Sequence, residues 1–311
     1  MTTALERAAE LEAELDAPAR APQGPFRRFV ADFAGSRLAL LGLAVFTVIA
    51  ISAVFAPWLA PQDPYDLAEI DIMDSTLPPG ERSFAGQTYW LGTDGQGRDM
   101  LSAIMYGLRT SLGVGAMSAL LALGLGMSMG LIAAYFGGWV ETLIMRIVDV
   151  QLSFPAILVA LILLAILGQG VDKIIIALVA VQWAYYARTV RGTALVERRK
   201  EYIEAALCLG FSHRRVVFGH LLPNCLPPLI VVVTVQVANA IALEATLSFL
   251  GIGLPITEPS LGLLIANGYD YLLSGRYWIS FFPGVALLVT IVSINLVGDQ
   301  LRDVLNPRLQ R

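Results

Sequence analysis

The sequence predicts an all-α integral membrane protein, a bundle of six transmembrane helices with both termini in the cytosol. Hydrophobic residues make up 56% of the 311 residues, charged residues only 15%, and the mean hydropathy is +0.67. A soluble protein typically carries about 25% charged residues. Because so few charges cannot cover a soluble surface, much of the surface is expected to face lipid. The net charge of −4 gives no reason to expect nucleic acid as a partner.

Six uncharged stretches are candidate spans, since a helix that crosses the hydrocarbon core needs about 20 mostly apolar residues. In chain order they are residues 38–62, 110–140, 150–171, 174–187, 216–243 and 277–298. The fourth has only 14 residues, a length that also suits a buried or re-entrant segment. We expect Arg188 and Arg191 to reach the membrane surface from its inner end and to lengthen it by about a turn.

The distribution of basic residues favours six spans. With a cytosolic N-terminus and six spans, 16 of the 21 Lys and Arg residues lie inside and 5 lie outside. If the fourth stretch does not cross, the bias reverses to 7 inside and 14 outside. Short loops rich in Lys and Arg stay in the cytosol, so the charge bias indicates that the fourth stretch crosses.

The predicted organisation has four parts. Residues 1–36 form a cytosolic tail, and residues 37–109 form the first transmembrane helix and an acidic periplasmic loop. Residues 110–306 form a five-helix core with a large cytosolic loop at 188–224, and residues 307–311 form a second cytosolic tail. The first 16 residues carry five acids before any apolar run, which argues against a cleavable signal peptide.

No catalytic residue, metal site or bound cofactor is expected. A phosphate-binding loop requires Gly-Lys followed by Ser or Thr, but the two lysines, Lys173 and Lys200, follow Asp and Arg. The two histidines, His213 and His220, have no carboxylate pair spaced like zinc ligands. The metalloprotease motif H-E-x-x-H is absent from the sequence.

Three polar residues of span five, two in the uncharged stretch and one directly after it, are candidates for a substrate pathway. Glu244 is the one acid that falls inside a span, and Gln236 and Asn239 share roughly its helix face. An acid inside a membrane span suggests a functional site. Because Glu244 lies near the outer end, a structural hydrogen bond or an interfacial position is the alternative.

The cytosolic loop carries a spaced motif. Glu204-Ala205-Ala206 is followed by three residues and Gly210, then by nine residues and His220, and after one more residue by Leu222-Pro223. This pattern resembles the EAA loop of binding-protein-dependent ABC importer permeases, which have isoleucine where His220 stands.

Further stretches are similar to the "C" permeases of dipeptide and oligopeptide importers, a branch that also includes nickel permeases. They are the sequence LGTDGQGRD at residues 91–99, SFP at 153–155, EATLSFLGIG at 244–253 and PSLG at 259–262. The last of these often has Trp where Leu261 stands. The resemblance extends from Ser36 to Arg308.

The resemblance implies a type I importer permease in a bacterial inner membrane, with peptide as the commonest substrate and nickel or another small solute as open alternatives. It implies a second homologous permease, two ATPase subunits that bind the ATP, and an extracytoplasmic solute-binding protein. The loop would seat in the ATPase, with Glu204, Ala205 and Ala206 at the contact. Gly210 would end the first short helix in a left-handed conformation, and Pro223 would mark the start of span five.

The alternative is a channel or a secondary transporter driven by an ion gradient. Such a transporter would call for inverted repeats or buried carboxylates that bind the coupling ion. The single acid Glu244 and the lack of an evident repeat argue against it.

Overall fold

The computed structural model describes residues 24–66, 68–83, 86–255 and 257–305. The acidic N-terminal segment and the predicted C-terminal tail lie outside these residues. Within them the regular elements are helices, and the extended pairing consists of two isolated bridges in the outer loop. The α-helices are α1 (Pro25–Ala34), α2 (Arg37–Val54), α3 (Ala56–Leu59), α4 (Met100–Phe136), α5 (Gly138–Ser153), α6 (Ala156–Leu167), α7 (Val171–Glu197), α8 (Glu201–Cys208), α9 (His213–Val216), α10 (Leu222–Phe249), α11 (Leu261–Tyr269) and α12 (Trp278–Leu305). A π-helical turn, Val217–Leu221, joins α9 to α10, and 3-10 turns lie at Ile72–Asp74 and Leu272–Ser274.

Four helical segments in the described residues are long and apolar enough to cross a membrane. They are α2, α4, the segment His213–Phe249 and α12. A fifth span is formed if the bent pair α5 and α6 counts as one. The prediction of an all-helical membrane protein is therefore confirmed. By length and composition the described residues contain four or five candidate spans, and the count of six stays a prediction.

The third predicted span, residues 150–171, is not one continuous helix. α5 ends at Ser153, α6 begins at Ala156, and the two helices meet at 94°. Pro155 causes the break, because its ring disfavours helical geometry at the preceding residue and it has no N–H to donate. Phe154 is accordingly extended, with φ −93° and ψ 142°.

The second predicted span begins ten residues earlier than expected, at Met100. The carboxylate of Asp99 accepts hydrogen bonds from the Ser102 amide at 2.8 Å and from its hydroxyl at 2.6 Å. This N-cap satisfies amide groups that would otherwise be unpaired at the helix start. The predicted boundary after Arg109 rested on where the uncharged stretch begins. The start of the helix is instead set by the capping side chain of Asp99.

The fourth predicted span lies within α7, a helix of 27 residues. At 1.5 Å per residue it is about 40 Å long, enough to cross the hydrocarbon core. α7 is not among the segments that qualify by hydropathy. Much of its circumference is buried inside the protein, and Ala177, Leu178 and Ala187 are fully buried. Little of this helix therefore has to face lipid.

Glycines bring α4 close to α7. A Cβ atom on Gly126 would lie 2.3 Å from the carbonyl oxygen of Trp183, and one on Gly130 would lie 2.6 Å from that of Ala187. Small residues permit this close approach of membrane helices. Gly113 and Gly124 on the same helix have no neighbour within 4 Å of the corresponding position and do not share this role.

The outer loop between α3 and α4 is held by buried polar contacts. The Arg98 guanidinium pairs with Asp94 at 2.7 Å, and the indole N–H of Trp278 donates to the Thr93 carbonyl at 3.1 Å. Tyr89 donates its hydroxyl to Asp74 at 3.0 Å. The pKa of Tyr89 is raised to about 12. Burial is the larger cause, and the hydrogen bond to Asp74 is the second. The loop is thereby attached to the start of α12.

Candidate coupling loop and cavity

The Glu-Ala-Ala motif lies on α8, and its three residues do not share one face. Ala206 is buried together with Ile203 and with Val216 of α9, so these residues attach α8 to the protein. Glu204 and Ala205 are exposed on the outer side. The exposed side of α8 therefore includes Ala205 but not Ala206, and the contact of this motif with a partner stays a prediction.

Gly210 adopts the left-handed conformation expected from the sequence, with φ +73°. The Gly210 amide donates to the Leu207 carbonyl at 3.0 Å, and the Phe211 amide donates to the Ala206 carbonyl at 3.2 Å. These two bonds form a Schellman motif, which ends α8 and turns the chain toward α9. No atom lies within 4 Å of a Cβ built on Gly210, so only its backbone conformation requires glycine.

The second half of the motif lies in the π-helical turn and the start of α10. His220 stacks on Phe211 with ring centroids 5.8 Å apart, and the Arg215 guanidinium lies 4.3 Å from the centroid of the same ring. Leu222 and Pro223 open α10, which continues the π-helical turn without a break, and Pro223 has no N–H to donate to that turn. A π-helical turn is rare and often lies at functional sites.

The loop also exposes large apolar side chains to solvent. Leu209 is 73% exposed and Phe218 is 62% exposed, and Leu207 is partly exposed as well. Leu207 and Leu209 lie at the end of α8, close in sequence to Glu204 and Ala205, and Phe218 lies in the π-helical turn. An acid, a small residue and uncovered apolar side chains together suit contact with another protein.

A chain of hydrogen bonds connects α8 to both long helices that flank the loop. The Tyr202 hydroxyl donates to Glu197 Oε2 at 2.7 Å and accepts from Asn224 Nδ2 at 3.1 Å. Lys200 pairs with Glu197 Oε1 at 2.7 Å, and Asn224 Nδ2 donates to the His220 carbonyl at 2.7 Å. Burial alone would raise the pKa of Glu197, but the bonds from Lys200 and Tyr202 outweigh it and leave that pKa lowered.

A cavity of about 1540 Å³ lies between α10, α12, α7 and α1. Gln236 and Asn239 line it, and they also line an adjoining cavity of about 300 Å³. Asn239 Nδ2 donates to Gln236 Oε1 at 2.9 Å. The structure thus brings two of the three predicted pathway residues together where the two cavities meet.

The larger cavity is charged at the end near the coupling loop. Asp32, Arg188, Asp299 and Arg302 line it there, and Arg188 is paired with Asp149 at 2.5 Å. Charges of both signs on one rim suit a ligand that itself carries both signs.

Glu244 lines neither cavity. Its side chain is fully buried, and it accepts hydrogen bonds from Ser111 of α4 and Ser248 of α10, each at 2.8 Å. The structural alternative weighed for Glu244 is thus the arrangement that the structure shows.

Several residues of the site were not singled out by sequence reasoning, namely Glu197, Tyr202 and Tyr185. Tyr185 lines both cavities, but nothing in its spacing separates it from the other residues of α7. Asn224 directly follows the Leu-Pro pair of the loop motif, and this position is the sequence feature that indicates its place in the site.

Comparisons with known proteins identify the family. Residues 122–311 match the family described as the inner membrane component of binding-protein-dependent transport systems. Residues 24–79 match the N-terminal transmembrane domain of oligopeptide transport permease C. The resemblance drawn from the loop motif is confirmed.

Relatives and a solved structure agree with these matches. A putative peptide transport system permease protein of Brucella suis is 41% identical over 87% of this chain and 88% of its own. A di/tripeptide transport system permease protein of Pseudomonas aeruginosa is 37% identical over 95% of this chain and 97% of its own. The inward-facing MetNI methionine ABC transporter shares the fold, with a TM-score of 0.54 and 20% identity over 67% of this chain and 98% of its own. The chain therefore belongs to the family of inner membrane permease components of binding-protein-dependent ABC importers.

Proposed function

We propose that this chain is one of two related permease subunits that enclose the pathway of a peptide importer. Two separate ATPase subunits would bind ATP at the cytosolic face, and a solute-binding protein would deliver the peptide outside. The named functions of the relatives, which are peptide and di/tripeptide transport, support the substrate class.

The proposal includes six membrane crossings with both ends of the chain in the cytosol. α5 and α6 would together form one crossing, and the buried helix α7 would form another. The charge bias of 16 to 5 and the length of α7 support this topology. The two cavities would then lie on the side of the bundle that faces the second permease.

The loop 188–224 would be the element that couples ATP hydrolysis to transport. The observation that carries this role is the division of α8 into two sides. Ile203 and Ala206 attach it to the bundle, while Glu204 and Ala205 remain exposed for a partner. A rigid short helix with an unoccupied polar side can carry a displacement from the ATPase into the membrane helices.

Gln236 and Asn239 would contact the peptide along the pathway. Side-chain amides donate and accept hydrogen bonds, so they can bind the peptide backbone whatever its side chains are. Glu244 is left out of the pathway because it is buried behind its serine partners.

The test is transport by variants of the coupling loop in reconstituted vesicles. Gly210→Val places a β-branched residue in a left-handed conformation, at a cost of about 1–2 kcal/mol. It should insert and assemble normally but lose uptake and binding-protein-stimulated ATP hydrolysis. Gly210→Asn is the matched control, because asparagine tolerates this conformation.

Glu204→Lys should behave like Gly210→Val, since it reverses an exposed charge and keeps the helix. Glu204→Gln should lose less. Wild-type transport by both Gly210→Val and Glu204→Lys would show that the loop does not couple the ATPases to the bundle.

A further inference from the structure

We infer that the Tyr202 hydroxyl is a positioning group that locks α8 to the two membrane helices flanking the coupling loop. This inference rests on the coupling role proposed for the loop. Glu197, Tyr202 and Asn224 would act as one unit that turns a movement of α8 into a movement of α7 and α10.

The three residues lie where three helices meet. Glu197 is the last residue of α7, Tyr202 lies in the first turn of α8, and Asn224 lies in the first turn of α10. A single oxygen joins them, because the Tyr202 hydroxyl donates to Glu197 at 2.7 Å and accepts from Asn224 at 3.1 Å. Removing that one atom disconnects all three helices at this point.

The partners of this oxygen are themselves fixed. Lys200 holds the other oxygen of the Glu197 carboxylate at 2.7 Å, and the carboxylate is largely buried. Asn224 also donates to the His220 carbonyl at 2.7 Å, which connects the unit to the π-helical turn. A bond to an ionised carboxylate is stronger than one between neutral groups, and connected bonds reinforce each other.

The apolar contacts of α8 do not by themselves fix its direction. Ile203 and Ala206 pack against Val216 through apolar surface, which resists separation but permits sliding. Hydrogen bonds depend on angle and distance, so the Tyr202 unit fixes the orientation of α8 as well as its attachment. Asn224 also lines the larger cavity, so one member of the unit is itself part of the wall of the proposed pathway.

The experiment compares Tyr202→Phe with the unaltered chain in the complete transporter in vesicles. Phenylalanine keeps the ring and removes only the hydroxyl. We expect the ATPase subunits to co-purify in normal amounts, and ATP hydrolysis to continue. The number of peptides imported for each ATP hydrolysed should fall by about tenfold, the effect of losing a bond to a charged group. A merely structural role would instead reduce the amount of assembled complex.

Asn224→Ala should lower the same ratio, and the double variant should fall no further than the single variants, because the residues act as one unit. Ser212→Ala is the control within the loop, since that side chain makes no capping bond at the start of α9. A wild-type ratio for Tyr202→Phe, or additive losses in the double variant, would overturn the inference. If Gly210→Val abolishes coupling while Tyr202→Phe does not, the loop keeps its role and only the hydroxyl unit is rejected.

Discussion

The hydroxyl of Ser111 lies 2.8 Å from a carboxylate oxygen of Glu244, although the two residues are 133 positions apart. This bond joins α4 to α10 inside the membrane part of the protein. We predict that Glu244→Ala destabilises the purified chain by about 1–3 kcal/mol, because buried serine hydroxyls lose their acceptor. Thermal unfolding in detergent measures this loss, and Glu244→Gln should lose less because it retains an acceptor oxygen.

Asn239→Ala provides the contrasting variant, because Asn239 is exposed in the cavity. It should lower peptide uptake and leave the unfolding temperature unchanged. If Glu244→Ala had normal stability and an altered peptide preference, the structural role of Glu244 would be refuted and a role in the pathway supported.

The close approach of α4 to α7 predicts that Gly126→Ala destabilises the fold. The added methyl group would lie 2.3 Å from the Trp183 carbonyl oxygen, so the helices must separate. Overpacking of this kind costs about 1–3 kcal/mol. The yield and unfolding temperature of the isolated chain in detergent should both decrease.

Gly124→Ala is the matched control on the same helix, where nothing lies within 4 Å of the new methyl group. It should leave both quantities unchanged in the isolated chain. Equal losses in the two variants would show that the α4–α7 contact does not depend on glycine.

The proposed topology predicts opposite labelling of two exposed positions. In a background of Cys208→Ser and Cys225→Ala, Gln87→Cys should react with a membrane-impermeant thiol reagent in intact cells, and Ser212→Cys should not. Both positions are exposed in the structure, so a lack of labelling reports the side of the membrane. After the membrane is permeabilised, Ser212→Cys should react. Reversed labelling in intact cells would refute six crossings with cytosolic ends.

The contacts of Glu197 predict how the attachment of α8 depends on pH. The pKa of this carboxyl is lowered from 4.5, so its ionised form stabilises the folded loop above pH 4.5. That stabilisation is lost as the pH falls through the lower pKa of the folded state. Amide-exchange protection of α8, corrected for intrinsic rates, should be constant from about pH 7 to about pH 5 and should decline on further acidification.

Glu197→Gln is the reference for this measurement, since it cannot ionise. Its protection should show no decline in the acid range. A decline of equal size in the variant would assign the effect to another group.

The sequence was informative where one local signal decides the structure. Gly210 was predicted to end a short helix in a left-handed conformation, and the structure shows that conformation with its two closing bonds. Apolar composition likewise predicted a helical membrane protein. Both signals act over a few residues or over the whole chain, and neither depends on tertiary contacts.

Features that depend on contacts between distant residues were not predictable in this way. The sequence showed Glu244 as an acid within a span, but its burial depends on Ser111, which lies in another helix. α7 lies inside the bundle, so its hydropathy falls below that of a lipid-facing span although its length suffices. Ala205 and Ala206 belong to the same motif, and packing of Ala206 with Ile203 and Val216 distinguishes the inward-facing alanine from the exposed one.

The adjacent prolines Pro227 and Pro228 form part of the wall of the larger cavity. Proline has no amide hydrogen, so neither residue can complete the helical bond to the carbonyl four positions earlier, on Pro223 and Asn224. Two main-chain oxygens of α10 thus lack their usual donor in the segment that borders the cavity. An extended peptide carries amide hydrogens at regular intervals along its own backbone and could meet such acceptors without regard to its side chains. In the proposed importer one such surface would serve many sequences, and discrimination among them would be left to the protein that delivers the peptide.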